Sequence, residues 1–455
     1  MKILYLCSDA GIPVLGRKGA SVHVRQLVAA FARAGHRVVL AAPSLTKSPW
    51  DEPAEVAAEV IHCRLSSSAQ DAVDAVKEYA GELAGANSLA SELRRILASQ
   101  ELAANLLPRF KGDAPDFIYE RASLFGTAGV ALAEAGKVPL LVELNAPLVE
   151  EQSLYRGGGL GALALEAERH TLTRADAVFT VSAPLREHVL ALGADLERVQ
   201  VLPNGVDPEQ FRPGPRDEIL RAQLGLGLGP VLGFLGGLRP WHGVEILPEL
   251  LARLSAKHPG VQLLFAGDGQ LRGELERRLR ELELSDRAVF IGNLPHEEVP
   301  AVVRLFDVAL APYPALDHMF YFSPLKVFEY MACGTAVVAS SCGQISEVVR
   351  DGENGLLVPP GDLHALTSAC DRLLTDPPLR VRLGHAASEL VRREFTWKEN
   401  AARVVNRARE LVEAGGARRS VRAETTANQS ALEPTDAPAR AERRALPEPV
   451  GTARP

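Results

Sequence analysis

The chain has 455 residues, enough for two domains with full hydrophobic cores. Apolar residues make up 47% and charged residues 24%, the balance of an ordinary globular protein, and a net charge of −7 argues against a generally basic, nucleic-acid-binding surface. No run of about 18 apolar residues is available to span a bilayer, and the five cysteines (Cys7, Cys63, Cys333, Cys342, Cys370) have neither CxxC nor zinc-ligand spacing, so they read as buried free thiols of a reducing cytosol.

Residues 2–7, KILYLC, form a continuous apolar run that reads as a buried strand with no signal peptide ahead of it. Ser21–Ala34 follows with the spacing of an amphipathic helix, and Arg37–Ala41 is a second strand, giving a βαβ start. The connecting Gly11–Val24, GIPVLGRKGASVHV, reads as a flexible loop or a lid, with Arg17 and Lys18 as unspecific anion contacts. An Ala/Leu-rich stretch over 70–107 predicts one or two extra helices, with Arg94 and Arg95 on a solvated face. Strands at Phe117–Glu120, Pro139–Leu144, Ala177–Val181 and Val199–Leu202, with helices near Leu124–Ala135, Leu163–Thr173 and Ala183–Leu192, complete an open α/β sheet. Glu120 and Glu143, each ending a strand, read as acceptor-side carboxylates or as buried partners of Arg121.

Pro203–Pro215, dense in Pro, Gly, Asn and Asp, reads as a hinge. Beyond it the pattern restarts, with strands at Val231–Leu235, Val261–Phe265, Ala288–Ile291, Val308–Ala311, Thr335–Ala339 and Gly355–Val358 alternating with helices at Val244–Ala256, Leu271–Leu282, Glu297–Leu305, Ser323–Cys333 and Leu363–Leu374. Two doubly wound domains follow, whose ligands belong in the cleft beyond the carboxyl ends of the strands. Terminal helices are expected at Leu379–Glu394 and Lys398–Glu413, and a disordered tail from Gly415.

The segment beginning at Ser323, SPLKVFEYMACGTAVVAS, carries the most chemistry. Ser323 and Pro324 read as N-cap and first helical residue, Leu325, Phe328, Met331 and Ala332 as the buried stripe, and Gly334 as the stop. Backbone N–H groups at such a start favour a phosphate, Lys326 adds full charge, and Glu329 is suited to accept hydrogen bonds from both hydroxyls of a ribose. As residues alone, Lys326 and Glu329 are equally a surface pair worth roughly 0.2–0.5 kcal/mol.

This segment resembles the signature helix of the retaining GT-B glycosyltransferases, family four, in its SPLK…EYMA.G variant. The resemblance implies two Rossmann-like α/β domains facing across a cleft: 1–205 on the acceptor side, 206–385 for the nucleotide sugar, and 386–414 crossing back, with 415–455 as tail. It implies that Glu329, second glutamate of an E-x7-E pair, holds the donor's ribose. The first glutamate falls on Tyr321, and Asp317 is the nearest upstream carboxylate. GFLGGLRPWHG matches the family's glycine-rich turn at Gly236, but the usual arginine and lysine positions hold Gly237 and His242. Arg239 and Lys326 are therefore taken as the diphosphate's cations, with His242 as a neutral donor or a local cap. Gly19 and Ala20 match the paired glycines near the donor phosphates or sugar, and Gly267 and Asp268 lie in a turn that lets backbone approach a ligand. Asn293 and Leu294 lie in a segment similar to the one that reads the base, and Asn145 stands where many members place a histidine, so it is assigned a sugar-positioning role.

The implied chemistry is retaining, metal-free transfer of a sugar from a nucleotide diphosphate donor to a saccharide, lipid-linked or small-molecule hydroxyl, with no cofactor. The expected location is the cytoplasm, with optional peripheral contact at the inner membrane face. A nucleotide-sugar-binding protein without transfer activity is the alternative, because Tyr321, Gly237 and Asn145 break the pattern. An NAD-dependent enzyme is disfavoured, since neither half has G-x-G-x-x-G between its first strand and helix.

Overall fold

A computed structural model describes residues 1–48, 53–79, 86–155, 157 and 159–430. Its frame is two sheets in which every strand pair is parallel. The first comprises β1 (Lys2–Cys7), β2 (Arg37–Ala42), β3 (Glu59–His62), β4 (Phe117–Arg121), β5 (Leu140–Leu144), β6 (Ala177–Thr180) and β7 (Val199–Val201), ordered β3-β2-β1-β4-β5-β6-β7. The second comprises β8 (Val231–Leu235), β9 (Gln262–Ala266), β10 (Ala288–Gly292), β11 (Val308–Ala311), β12 (Ala336–Ser340) and β13 (Leu356–Val358), ordered β10-β9-β8-β11-β12-β13. In each, the strand order reverses beside the first strand of the sheet. Connections leave in opposite directions there and open a crevice at the carboxyl ends.

The strands are short Val/Ile/Leu/Ala runs because helices cover both faces, and the central strands are almost wholly buried. On one face of the first sheet, the helix Gly19–Arg33 buries Val24, Leu27, Val28 and Phe31 against Tyr5 and Tyr119. Edge strand β3 was not expected from the sequence; its EVIH is only half buried and lacks a long apolar run. The stretch over 70–107 forms two helices, Ser67–Tyr79 and Ala86–Leu106.

The chain passes twice between the sheets, and the two passages are hydrogen-bonded to each other. Val206 N donates to the Phe395 carbonyl at 2.9 Å, and Trp397 N donates to the Val206 carbonyl at 3.3 Å. They lie so close at Gly205 that a Cβ there would stand 2.6 Å from Trp397 N. After the second passage the helix Trp397–Ser430 sinks Trp397, Ala401, Val404, Val405 and Ala408 into the core of the first sheet. This helix continues past the expected end at Glu413 and through the start of the expected tail; residues 431–455 lie outside the described residues. Among the described residues, no helix is long and apolar enough to cross a membrane.

Candidate active site

The helix Leu325–Ala332 starts at the carboxyl-end edge of the second sheet, and an isoleucine-free run of apolar residues seats it: Val327, Phe328, Tyr330, Met331 and Ala332 are all buried. Ser323 is not its N-cap, as the sequence had suggested. Pro324 occupies that position, with no side-chain cap, and the Ser323 hydroxyl instead accepts from Asn204 N at 2.9 Å. The Asn204 side chain grips the same residue a second time, its Nδ2 donating to the Ser323 carbonyl at 2.5 Å. Ser323 is thus tied to the interdomain linker.

Lys326 is the electrostatic centre of the site. Its Nζ is buried with no hydrogen-bond partner among the described residues, 4.1 Å from the Phe234 ring centroid and 5.5 Å from that of Tyr313. Burial pushes its pKa down from 10.5 to about 7, against the opposing pull of Glu329. The ring faces and the Glu329 carboxylate compensate the ammonium only in part, and a buried cation that no hydrogen bond holds is a poor structural group but a ready anion receptor.

The turns after β8 and β9 bring bare backbone to this ammonium. Gly236 has φ +123° and Gly267 φ +137°, conformations that L side chains rarely adopt. A Cβ on Gly267 would stand 2.1 Å from the Gly236 carbonyl oxygen, and one on Gly236 would stand 3.1 Å from Lys326 Nζ. Beside them, His242 Nδ1 donates to the Gly237 carbonyl at 2.6 Å. Burial, with Lys326 and Arg239 adding to it, holds the His242 pKa down to about 3, so the ring is neutral. Its one N–H is therefore spent on Gly237, which is the local-cap role rather than the donor role. Arg239 is exposed, donating to Gln270 Oε1 at 3.1 Å with its guanidinium 5.8 Å from the Trp241 ring centroid. Asp268 Oδ1 accepts from Gly269 N, while Asn293 is exposed and Leu294 half-buried.

Glu329 is buried with one carboxylate oxygen, Oε1, accepting from His296 Nε2 at 2.8 Å. Tyr321 is buried in the core of the first sheet, its hydroxyl 3.3 Å from Glu151 Oε2 and its carbonyl accepting from Ser182 Oγ at 2.8 Å. Asp317 is exposed. From the first sheet, Gly19 approaches the signature helix: a Cβ on it would stand 3.9 Å from Leu325 Cδ1, and Ala20 is the next residue of the same helix.

The carboxyl ends of β4 and β5 supply a second polar cluster. Glu143 accepts from the Asn145 amide at 2.5 Å and the Tyr119 hydroxyl at 2.8 Å, and lies 3.5 Å from Arg121 Nη1. His23 Nε2 lies 2.6 Å from Glu143 Oε1. Burial pushes the Glu143 carboxyl up, but His23, Arg121 and the Asn145 amide overcome it and hold the pKa at about 2. Glu143 is therefore the buried partner of Arg121. Glu120 is not: it accepts from Ser8 Oγ at 3.0 Å, and burial pushes its pKa up to about 7. Asn145 keeps its Oδ1 buried, with no hydrogen-bond partner among the described residues. The His23 ring continues the cluster toward the second sheet, with Nδ1 2.7 Å from Asn204 Oδ1. His23, Asn204, His296, Gln26 and Gln210 were not singled out from the sequence. Their partners lie as far as 270 residues away along the chain, so no local pattern marks them.

Residues 229–376 match the model for glycosyl transferases group 1, and residues 18–205 match the model for the glycosyl transferase 4-like domain. The chain belongs to the group 1 glycosyltransferases. A glycogen synthase of Mycobacterium tuberculosis is 27% identical over 409 residues, covering 88% of this chain and 92% of the relative. A D-inositol 3-phosphate glycosyltransferase of Stackebrandtia nassauensis is 34% identical over 247 residues, covering 51% of this chain and 54% of that relative. The sucrose-phosphate synthase of Thermosynechococcus elongatus superposes with a TM-score of 0.69 at 23% identity, over 91% of this chain and 100% of that one. Anabaena HepE in complex with UDP and glucose gives 0.65 at 21% identity, over 89% and 98%. This group 1 glycosyltransferase thus has the GT-B fold.

Proposed function

We propose that this group 1 glycosyltransferase moves a sugar from a nucleoside diphosphate sugar to a hydroxyl acceptor with retention of anomeric configuration, in the synthesis of a polysaccharide or glycolipid. The observation that carries the reading is the buried, unpartnered ammonium of Lys326 between two glycine turns and a helix start. A diphosphate seated there gains the cation, the helix amides and the close backbone of Gly236 and Gly267, and its charge grows as the sugar's C1–O bond breaks. Arg239, exposed at the end of the same turn, is the second cation that this reading assigns to the diphosphate's outer oxygens. Glu329 takes the ribose, and Asn145, with an idle buried oxygen, orients a sugar hydroxyl. With no nucleophile assigned, the acceptor oxygen attacks from the departing face and the leaving phosphate oxygen takes its proton. The reading needs no metal, because Lys326 supplies the charge. HepE bound to UDP and glucose and the sugar-transferring relatives support a nucleotide sugar as donor and a saccharide or glycolipid as acceptor. The proposed location is the cytoplasm.

The test is turnover of a panel of nucleotide sugars by the wild type and Lys326→Ala, with product anomers assigned by proton NMR. Retained configuration and a rate loss of about a hundredfold or more in the variant are expected. Inverted product refutes retention, and saturable donor binding without turnover on any acceptor supports the non-catalytic alternative.

A further inference from the structure

We propose that His296 is a positioning residue that fixes the Glu329 carboxylate for the ribose and ties it, through Gln26, to the first domain; this rests on the reading of Glu329 as the ribose contact. His296 lies in the loop after β10, with its side chain 15% exposed beside a Glu329 side chain that is 9% exposed. Three chain segments meet on its ring. Glu329 Oε1 faces Nε2 at 2.8 Å, Gln210 of the linker and Gln26 of the helix Gly19–Arg33 face Nδ1, each with Nε2 at 3.4 Å, and Phe211 packs with its ring centroid at 5.1 Å.

The partners assign the proton. Gln210 Nε2 donates to the His296 carbonyl at 3.0 Å, and a carbonyl only accepts, so the Gln210 amide can be turned only one way. Its Oε1 then accepts from Gln26 Nε2 at 3.3 Å, which orients Gln26 in turn. The reversed Gln26 amide would set two oxygens face to face. Both glutamines thus present N–H groups to Nδ1, which must hold the lone pair, and the ring proton sits on Nε2 directed at Glu329.

That N–H occupies one carboxylate oxygen and stops rotation about the last torsion of Glu329, leaving Oε2 aimed at the two ribose hydroxyls. A carboxylate left loose in the same place would lose orientation and, with it, ribose selectivity. Because Gln26 belongs to the first domain, the grip on the ribose depends on that domain being in place.

The test titrates UDP, GDP and ADP calorimetrically, selects the tightest, and compares it with its 2′-deoxy counterpart in wild type, Glu329→Gln, His296→Ala, His296→Gln and Gln26→Leu. We expect His296→Ala to weaken the ribonucleotide by about tenfold while barely changing the deoxynucleotide. His296→Gln, which keeps an N–H toward Glu329, should restore most of the preference, and Gln26→Leu should lose part of it. Equal weakening of both nucleotides by His296→Ala, or no rescue by His296→Gln, overturns the proposal. If His296→Ala fails to fold, His296→Gln and Gln26→Leu decide it by the same ratio. A wild type that binds none of the three nucleotides, or a Glu329→Gln that keeps the full ribose preference, instead overturns the donor-site reading beneath it.

Discussion

Lys326 links burial to function through its proton. In the free protein its pKa stands at about 7, well below the 10.5 of an exposed lysine, so between those values the unfolded chain binds more protons than the fold. The residue's contribution to stability therefore rises as pH increases from about 7 toward 10.5, while its readiness to hold a diphosphate falls. Calorimetry in buffers of different ionisation enthalpy should show net proton uptake when a nucleoside diphosphate binds near pH 8, and none in Lys326→Met. Uptake that survives the substitution would assign the proton elsewhere. Glu143 follows the same sign in a more acidic window. Its folded pKa of about 2 lies below the ordinary 4.5, so it stabilises the fold above pH 4.5 and that contribution drains away as pH falls toward 2. Glu143→Gln should flatten the acid limb of a pH–stability curve over that window, measured by urea unfolding.

Among the elements, the paired interdomain passages are the most exacting. At Gly205 the backbones of the two passages leave no room for a methyl group, since its Cβ would fall 2.6 Å from Trp397 N and 2.7 Å from Thr396 C. Backbone cannot give way as a flexible side chain can. Gly205→Ala should cost about 1–3 kcal/mol in chemical unfolding by forcing the passages apart. Trp397 packs edge-on to His23, with ring centroids 4.9 Å apart, and anchors the returning helix in the first core. Truncating it as Trp397→Ala should cost about 3–5 kcal/mol, read from the urea midpoint. A loss below about 1 kcal/mol would show that the helix is held by its other contacts.

For the whole molecule, the proposed donor site joins groups from both sheets, so a nucleotide sugar that binds the folded chain alone should raise its unfolding midpoint. The shift should grow with ligand concentration for one base more than for others, and Lys326→Ala should abolish it. A shift unchanged in that variant would place the nucleotide away from the signature helix. The strands and the two-sheet plan were legible in the sequence because buried parallel strands are contiguous apolar runs bounded by Gly, Pro and polar turns. β3 was not, since a half-buried edge strand carries too few apolar residues to be told from a loop. Lys326, Glu329, Gly236 and Gly267 were legible as a local pattern of charge and glycine following strands.

What the amino-acid order determined by itself was therefore the strongly patterned local features: buried strands, amphipathic helices, glycine turns, and a cation beside a helix start. Tertiary structure alone decided which residues share a proton or a buried charge. It spent the N–H of His242 on Gly237, moved Ser323 from cap to linker contact, sank Tyr321 in the first core, and set His23 and His296 between segments far apart in the chain. Hydrogen bonding and desolvation depend on ångström distances in space, and the spacing of residues along a chain does not encode those distances until the fold closes.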